Sequence, residues 1–343
     1  MRILIATDAW YPQVNGVVRT LEETAKALRA LDHQLLLLTP EGHATIPLPL
    51  YSEIRLAIPA PGDIGRAIEA FAPDAIYIAT EGLIGLAARR WCLRRGLQFA
   101  TGFHTRFPEF AAARLPLPGL VTLGYEFLKW FHGPSSAILV PTTFVAKDLA
   151  ASGFTNLKVW TRGVDHTVFT PDDALDLELP RPVMLYAGRV SVEKGLDDFL
   201  KLPCSGSKAV IGDGPDRIEL AQRYPSVRFF GYRFGRDLAR HIAGADVFVF
   251  PSRVDTFGLV MLEAMACGVP VAAYPVQGPV DVVVEGVSGA LDHDLSAAIA
   301  RALTVSRASC RAYALNFTWA RTAEMFLDYL VPAEGRVSTA YQT

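Results

Sequence analysis

Ten short apolar runs that do not alternate with polar residues constrain this chain more than any other feature. Five lie in the first half ("RILIATD", "QLLLLTP", "DAIYIAT", "QFATGFH", "SAILVPT") and five in the second ("PVMLYAGR", "KAVIGDG", "VRFFGY", "DVFVFPS", "VPVAAYP"). A strand with one wet face alternates in polarity. A strand apolar throughout is buried on both faces, as in parallel sheets covered by helices. Between the runs lie amphipathic stretches; in the first, Val18, Leu21, Ala25, Leu28 and Leu31 recur at three- and four-residue spacing and form one helical stripe.

Strand and helix thus alternate twice over, and 343 residues exceed what one hydrophobic core usually supports. The expected fold class is α/β, with two Rossmann-like doubly wound domains. "GVDHTVFTPDDALDLELPRP", rich in Pro and Asp and without apolar period, separates them. The expected division is residues 1–165, a linker at 166–181, and residues 182–315. A C-terminal segment, 316–343, carries the amphipathic "FTWARTAEMFLDYL" and could pack on either half, the first included. Two such sheets are expected to face each other across a cleft lined by the carboxyl ends of their strands.

Composition excludes several classes. The net charge is −2 with Lys and Arg spread along the chain, which argues against nucleic acid as partner. The four cysteines, Cys92, Cys204, Cys267 and Cys310, form no Cys-x-x-Cys pair, so neither a zinc site nor a redox motif is expected. "MRILIATDAW" begins at once as a strand and no window reaches the ~18 apolar residues of a membrane span, so a cytoplasmic chain with at most peripheral membrane contact is expected. Arg89, Arg90, Arg94 and Arg95 around Trp91 read either as a solvated helix end or as a patch for anionic lipid headgroups. Leu115 to Gly133, with Tyr125 and Trp130, reads either as a core helix or as an aromatic membrane-facing surface beside that patch.

The residues that could carry chemistry follow strands. Asn15 and Gly16 open the first helix, where free amides and the helix dipole suit phosphate, although Asn-Gly is also simply a good turn. Arg189 and Lys194, after the first strand of the second half, suit the charge of a diphosphate. His104 follows a strand of the first half, where an imidazole can be structural or can contact a sugar. Gly212 and Gly214 lack the third glycine of a dinucleotide fingerprint, because Arg217 stands in its place. Asp292 and Asp294 make a weak metal pair. Asp255 and Glu263 stand eight positions apart, with the segment from Phe257 onward reading as a helix. Diphosphate near the cations, ribose at Glu263 and a sugar at Asp255 together describe a nucleotide sugar.

With these residues in view, the chain resembles the retaining glycosyltransferases of family 4, which have the two-domain GT-B fold. The landmarks are "YPQVNGVVRTL", "FHTRFPE", "GRVSVEKG", "GDGP", "FFGY" and "DTFGLVMLEAMACGVPV", in family order across almost the whole chain. The resemblance implies that Gly16 approaches the diphosphate, Arg189 and Lys194 neutralise it, and Glu263 holds the ribose. It also implies that Thr256, Phe257, Gly258 and Leu259 line the phosphate and sugar site, that His104 contacts the transferred sugar, and that Tyr232 lies beside the base. The common pattern has Glu where this chain has Asp255. The "DTFG" variant is similar to a branch containing GDP-mannose-dependent α-mannosyltransferases and glycolipid α-glycosyltransferases.

For activity, the same resemblance implies a hexosyl transfer, mannose favoured, from a nucleoside diphosphate sugar to a lipid or lipid-linked glycan, with no cofactor and no metal; the expected location is the cytoplasm, the inner face of the plasma membrane being one place within it. Competing readings are a UDP-sugar-dependent glycolipid synthase using glucose or glucuronate, a sugar-nucleotide epimerase or phosphorylase of the same architecture, and a non-catalytic nucleotide-sugar binder.

Overall fold

A computed structural model describes residues 1–333 except Val14, Pro49, Leu50, Leu115, Pro116 and Cys204. The first two residues of the aromatic segment, one of the cysteines and the tail from residue 334 thus lie outside the described residues. The chain divides into two compact units, residues 1–161 with 320 onward, and residues 162–319.

The first unit runs β1 (Arg2–Ala6), α1 (Gly16–Ala30), β2 (Gln34–Leu38), β3 (Ala44–Leu48), β4 (Tyr51–Ile58), α2 (Asp63–Phe71) and β5 (Ala75–Ile78). It continues through α3 (Leu83–Arg95), β6 (Ala100–Gly102), α4 (Phe107–Arg114), α5 (Leu120–His132), β7 (Ile138–Val140), α6 (Thr143–Ala151) and β8 (Leu157–Val159). Six strands form one parallel sheet in the order β2-β1-β5-β6-β7-β8, while β3 and β4 pair apart as an antiparallel hairpin. Successive residues of β1 feed opposite cores: Ile3 and Ile5 join Val18, Leu21 and Tyr77 on one face, Leu4 and Ala6 join Ile64, Ile78 and Ile84 on the other. That double burial is why the strand shows no polar alternation.

The Asn15 side chain accepts from the Val17 and Val18 amides and starts α1, whose Val18, Leu21, Ala25 and Leu28 are buried. The expected stripe ends there. Leu31 is the C-cap and is 48% exposed, because the helix stops before its next turn can carry the stripe on.

The second unit runs β9 (Val183–Ala187), α7 (Leu196–Leu200), β10 (Ser207–Ile211), α8 (Arg217–Arg223), β11 (Arg228–Gly231), α9 (Gly235–Ala243) and β12 (Val247–Phe250). Then come α10 (Leu259–Ala266), β13 (Val271–Ala273), α11 (Pro279–Val282), β14 (Gly289–Leu291), α12 (Leu295–Ala302) and α13 (Arg307–Ala314); α14 (Trp319–Tyr329) follows and crosses back to the first unit. Its parallel sheet has the order β11-β10-β9-β12-β13-β14. Val183, Leu185 and Ala187 face one core and Met184 and Tyr186 the other.

The stretch expected as a linker at 166–181 packs into the second unit. Phe169 and Leu177 are buried with Leu185 and Phe248, and the Leu175 amide donates to the Arg240 carbonyl at 3.0 Å. Its few apolar residues are irregularly spaced, so periodicity does not register them. Arg311 holds the stretch down, donating to the carbonyls of Phe169 and Ala266, both at 2.6 Å, and of His166 at 3.2 Å. From Ala320 on, α14 belongs to the first unit, where Ala323 and Phe326 share the core of Ile3 and Tyr77.

Replacing Arg311 removes three charge-assisted bonds and leaves their carbonyls unmatched, so Arg311→Leu is expected to destabilise the protein by about 2–3 kcal/mol. Urea unfolding followed by tryptophan fluorescence reads this; a midpoint equal to wild type contradicts it.

Candidate functional site

In the second sheet β9 and β12 are neighbours, while the chain leaves β9 toward β10 on one side and β12 toward β13 on the other. Connections that diverge this way open a crevice at the carboxyl edge, the usual ligand position in open α/β sheets. Arg189 and Lys194 lie on the connection after β9; Asp255, Thr256, Phe257 and Gly258 lie on the one after β12; Leu259 and Glu263 are on α10. The structure closes these connections on each other, with Lys194 Nζ 2.6 Å from Asp255 Oδ1 and each side chain 21% exposed. The other carboxylate oxygen, Oδ2, is shielded from solvent and accepts no hydrogen bond among the described residues.

Local chemistry fixes the surroundings of this pair. The hydroxyl of Tyr186, on β9, donates to the Arg189 carbonyl at 2.8 Å and pins the backbone of that loop. Burial, reinforced by the negative charges of Asp255 and Glu193, pushes the Tyr186 phenol well above its ordinary range, so it remains a donor.

Several sequence expectations need adjusting. Lys194 ends a single 3₁₀ turn, Val192–Lys194, and α7 begins only at Leu196. The helix expected from Phe257 begins at Leu259, because Gly258 takes the left-handed conformation at φ 84°. A Cβ at Gly258 would come 2.8 Å from Met261 Cε and 2.9 Å from Phe250 Cζ, so the turn into α10 requires glycine. The Phe257 side chain lies in the core at 6% exposure, which leaves its backbone to meet a ligand. Tyr232, beyond β11, is 52% exposed and stacked on Phe234 with ring centroids 5.6 Å apart.

Other residues singled out in the sequence have structural duties. A Cβ at Gly212 would fall 1.9 Å from the Gly188 carbonyl, so that glycine permits close approach of two loops. Asp292 pairs with Arg301 at 2.7 Å and Asp294 caps α12 through the Ser296 amide. No cluster of three or more His, Cys, Asp or Glu suited to a metal occurs among the described residues. Burial pushes the thiols of Cys92, Cys267 and Cys310 up to about 12, which makes them inert at neutral pH.

The first sheet has its own point of divergence, between β1 and β5. Asp8, which sequence reasoning passed over, ties it shut. Its amide donates to Thr80 Oγ1 at 2.7 Å, and its carboxylate accepts from the Thr80 hydroxyl at 3.0 Å and from the Ile84 and Gly85 amides at 2.9 and 3.2 Å. Burial raises the pKa of Asp8, and those amides oppose the rise only in part. Gly16 is the exposed first residue of α1. His104, half-buried just past β6, has Nε2 3.0 Å from the Tyr77 hydroxyl.

The basic cluster on α3 is smaller than its sequence suggests. Arg89 is 6% exposed; its guanidinium donates to the Phe131 and Trp130 carbonyls at 2.9 and 2.6 Å and lies 3.9 Å over the Trp130 ring. Arg95 pairs with Glu69 at 2.6 Å. On α5, by contrast, Leu123, Phe127 and Trp130 are 70%, 42% and 54% exposed at i, i+4 and i+7, one face of the helix. Among the described residues no helix is long and apolar enough to cross a membrane.

Comparison with known proteins identifies the family and the fold. Residues 14–168 match the profile "Glycosyltransferase Family 4" and residues 181–305 match "Glycosyl transferases group 1". The chain belongs to the family 4 glycosyltransferases. It is 27% identical to the GDP-mannose-dependent alpha-mannosyltransferase of Mycobacterium tuberculosis, over 99% of this chain and 98% of that protein. It is 29% identical to the sulfoquinovosyl transferase SQD2 of Arabidopsis thaliana, over 81% of this chain and 60% of the plant protein. Among solved structures, sucrose-phosphate synthase from Thermosynechococcus elongatus aligns with a TM-score of 0.75 at 20% identity, covering 95% of this chain and 97% of that one. The fold is GT-B, and in this glycosyltransferase the carboxyl edge of the second sheet carries the Lys194–Asp255 pair on the connections that follow β9 and lead into α10.

An L-residue at position 258 must adopt the left-handed conformation and clear Met261 and Phe250. Gly258→Ala is therefore expected to cost roughly 1–2 kcal/mol in unfolding free energy. A denaturant midpoint unchanged from wild type contradicts the strain assigned to this turn.

Proposed function

We propose that the protein is a retaining hexosyltransferase, with mannose from GDP-mannose the favoured donor group and a lipid or lipid-linked glycan the acceptor. The observation that carries this reading is the ion-paired Lys194, with Arg189, on the connection after β9 beside the start of α10. In the transfer, the bond from the anomeric carbon to the diphosphate breaks as the acceptor oxygen bonds to the same face, and the acceptor proton passes to the departing phosphate. Negative charge grows on the diphosphate, so fixed cations and helix-start amides there lower the barrier. Lys194 leaves Asp255 for the more highly charged phosphates, and Asp255 turns to the sugar. Glu263 accepts from the ribose hydroxyls and Tyr232 lies along the base. Gly16 contributes backbone to the diphosphate and His104 a contact to the transferred sugar. The reaction takes neither cofactor nor metal.

The M. tuberculosis relative, named for GDP-mannose, spans nearly the whole chain and supports this donor. The similarity to a sulfoquinovosyl transferase supports a second reading, a UDP-sugar-dependent glycolipid synthase using glucose or glucuronate. Incubation of the purified protein with GDP-mannose, UDP-glucose or UDP-glucuronate and a membrane lipid extract separates the two by which nucleotide is released. Release independent of lipid, or conversion of the nucleotide sugar without transfer, counts against both.

Lys194→Ala is expected to lower turnover by about 10²–10³ through loss of one preorganised donor. Near-normal turnover with the fold intact removes Lys194 from the site.

A lipid acceptor has to be met at a membrane surface, and the exposed face of α5 is apolar enough to reach one at the cytoplasmic side. Leu123→Glu combined with Trp130→Glu should abolish sedimentation with lipid vesicles, whereas wild type co-sediments. Equal binding by both proteins, or by neither, refutes a role for this helix.

A further inference from the structure

His104 projects from the end of β6, but the group that orients it belongs to the neighbouring strand. The Tyr77 hydroxyl, on β5, lies 3.0 Å from Nε2 of His104, and Tyr77 itself is fully buried. Its ring is wedged edge-on by Phe326 of α14 at 5.0 Å and by Trp160 at 5.9 Å. Trp160 also meets the His104 ring at 6.1 Å and is itself fixed by a 2.9 Å bond from its indole N–H to the Thr322 carbonyl. Gly102, between the two residues on β6, makes the contact possible. A Cβ there would stand 2.1 Å from the Tyr77 hydroxyl oxygen and 2.6 Å from His104 Nε2. A phenol ring held this rigidly keeps its hydroxyl oxygen beside Nε2.

We propose that Tyr77 is a positioning residue for His104: its hydroxyl donates to Nε2 and holds the imidazole in the tautomer with its proton on Nδ1. Neutral imidazole has one donor nitrogen and one acceptor, and the partner of one nitrogen decides the role of the other. A phenol O–H is a stronger donor than an imidazole N–H, and the unprotonated ring nitrogen is the stronger acceptor, so the bond is best made in this direction. Nδ1–H is then a fixed donor, suited to a sugar hydroxyl oxygen. The inference rests on the contact between His104 and the transferred sugar proposed above.

Tyr77→Phe keeps the ring against Phe326 and Trp160 and removes only the hydroxyl. Nitrogen-15 NMR of the His104 side chain should show Nε2 unprotonated in the wild type and shifted toward the protonated tautomer in the variant. With GDP-mannose and lipid extract, kcat should fall roughly three- to tenfold, the loss of one hydrogen bond, while the thermal midpoint stays near wild type. Unchanged His104 nitrogen shifts, or changed shifts with wild-type turnover, overturn the proposal. Should Tyr77→Phe fail to fold, site-specific 3-fluorotyrosine at position 77 keeps a hydroxyl of greater acidity; it must still displace the Nε2 resonance, and no displacement overturns the proposal. His104→Ala, assayed alongside, separates the two layers. Wild-type turnover in that variant sinks the sugar contact of His104, whereas the NMR shifts judge Tyr77 independently.

Discussion

The 2.6 Å ion pair between Lys194 and Asp255 is the constraint on which the carboxyl edge of the second sheet depends. Each partner is largely withdrawn from water, and a charge in that position without its counterpart is costly. The two residues are 61 positions apart and meet because β9 and β12 are neighbours whose onward connections diverge. Topology opens the crevice and the pair sets what it holds: a cation in a fixed place and a carboxylate whose second oxygen accepts no hydrogen bond among the described residues. In the proposed reaction an arriving diphosphate exchanges one anionic partner of Lys194 for another, so the ammonium never has to be desolvated alone.

Much of the architecture could be read from polarity alone. Each of the ten unalternating runs contains a strand of a main sheet, for the reason visible in β1 and β9, where neighbouring residues enter opposite cores. The edge strands β8 and β14 escaped because neither is an apolar run: Lys158 interrupts β8, and β14 is Gly289, Ala290 and Leu291. In β8 only Leu157 and Val159 are even partly covered, too short a segment for any period. The stretch at 166–181 looked like a linker because its backbone is irregular; Phe169 and Leu177 enter the core without helical or strand spacing. Apolar periodicity reports regular elements, and a segment that packs irregularly is invisible to it.

The site was legible in its residue types and less so in its pairings. Cations after one strand, acids after another and a glycine before a helix can be seen along the chain. That Lys194 meets Asp255, that Asp8 reaches the start of α3 some 76 residues away, and that Tyr77 orients His104 all follow from which strands are adjacent. Strand order is the one piece of information that local pattern does not contain. The side-chain fate of Phe257 shows the converse: a residue inside the motif turns inward, and only its backbone remains for a ligand.

The arginines of α3 illustrate how counting charge differs from locating it. Four of them around one tryptophan suggest an electrostatic surface, yet Arg89 is buried under Trp130 and caps the last carbonyls of α5, and Arg95 is paired with Glu69. By engaging the C-terminal end of α5, Arg89 fixes the helix with Trp130 facing outward in line with Phe127 and Leu123. A cation that in sequence looks like a lipid-headgroup ligand therefore acts on the inside, and what it presents outside is apolar. In the proposed membrane role this face contributes burial of Leu and aromatic surface, which scales with area and is little screened by salt, and of the four arginines Arg90 and Arg94 stay exposed on α3 to add an electrostatic part. A purely electrostatic patch would behave in the opposite way as ionic strength rises.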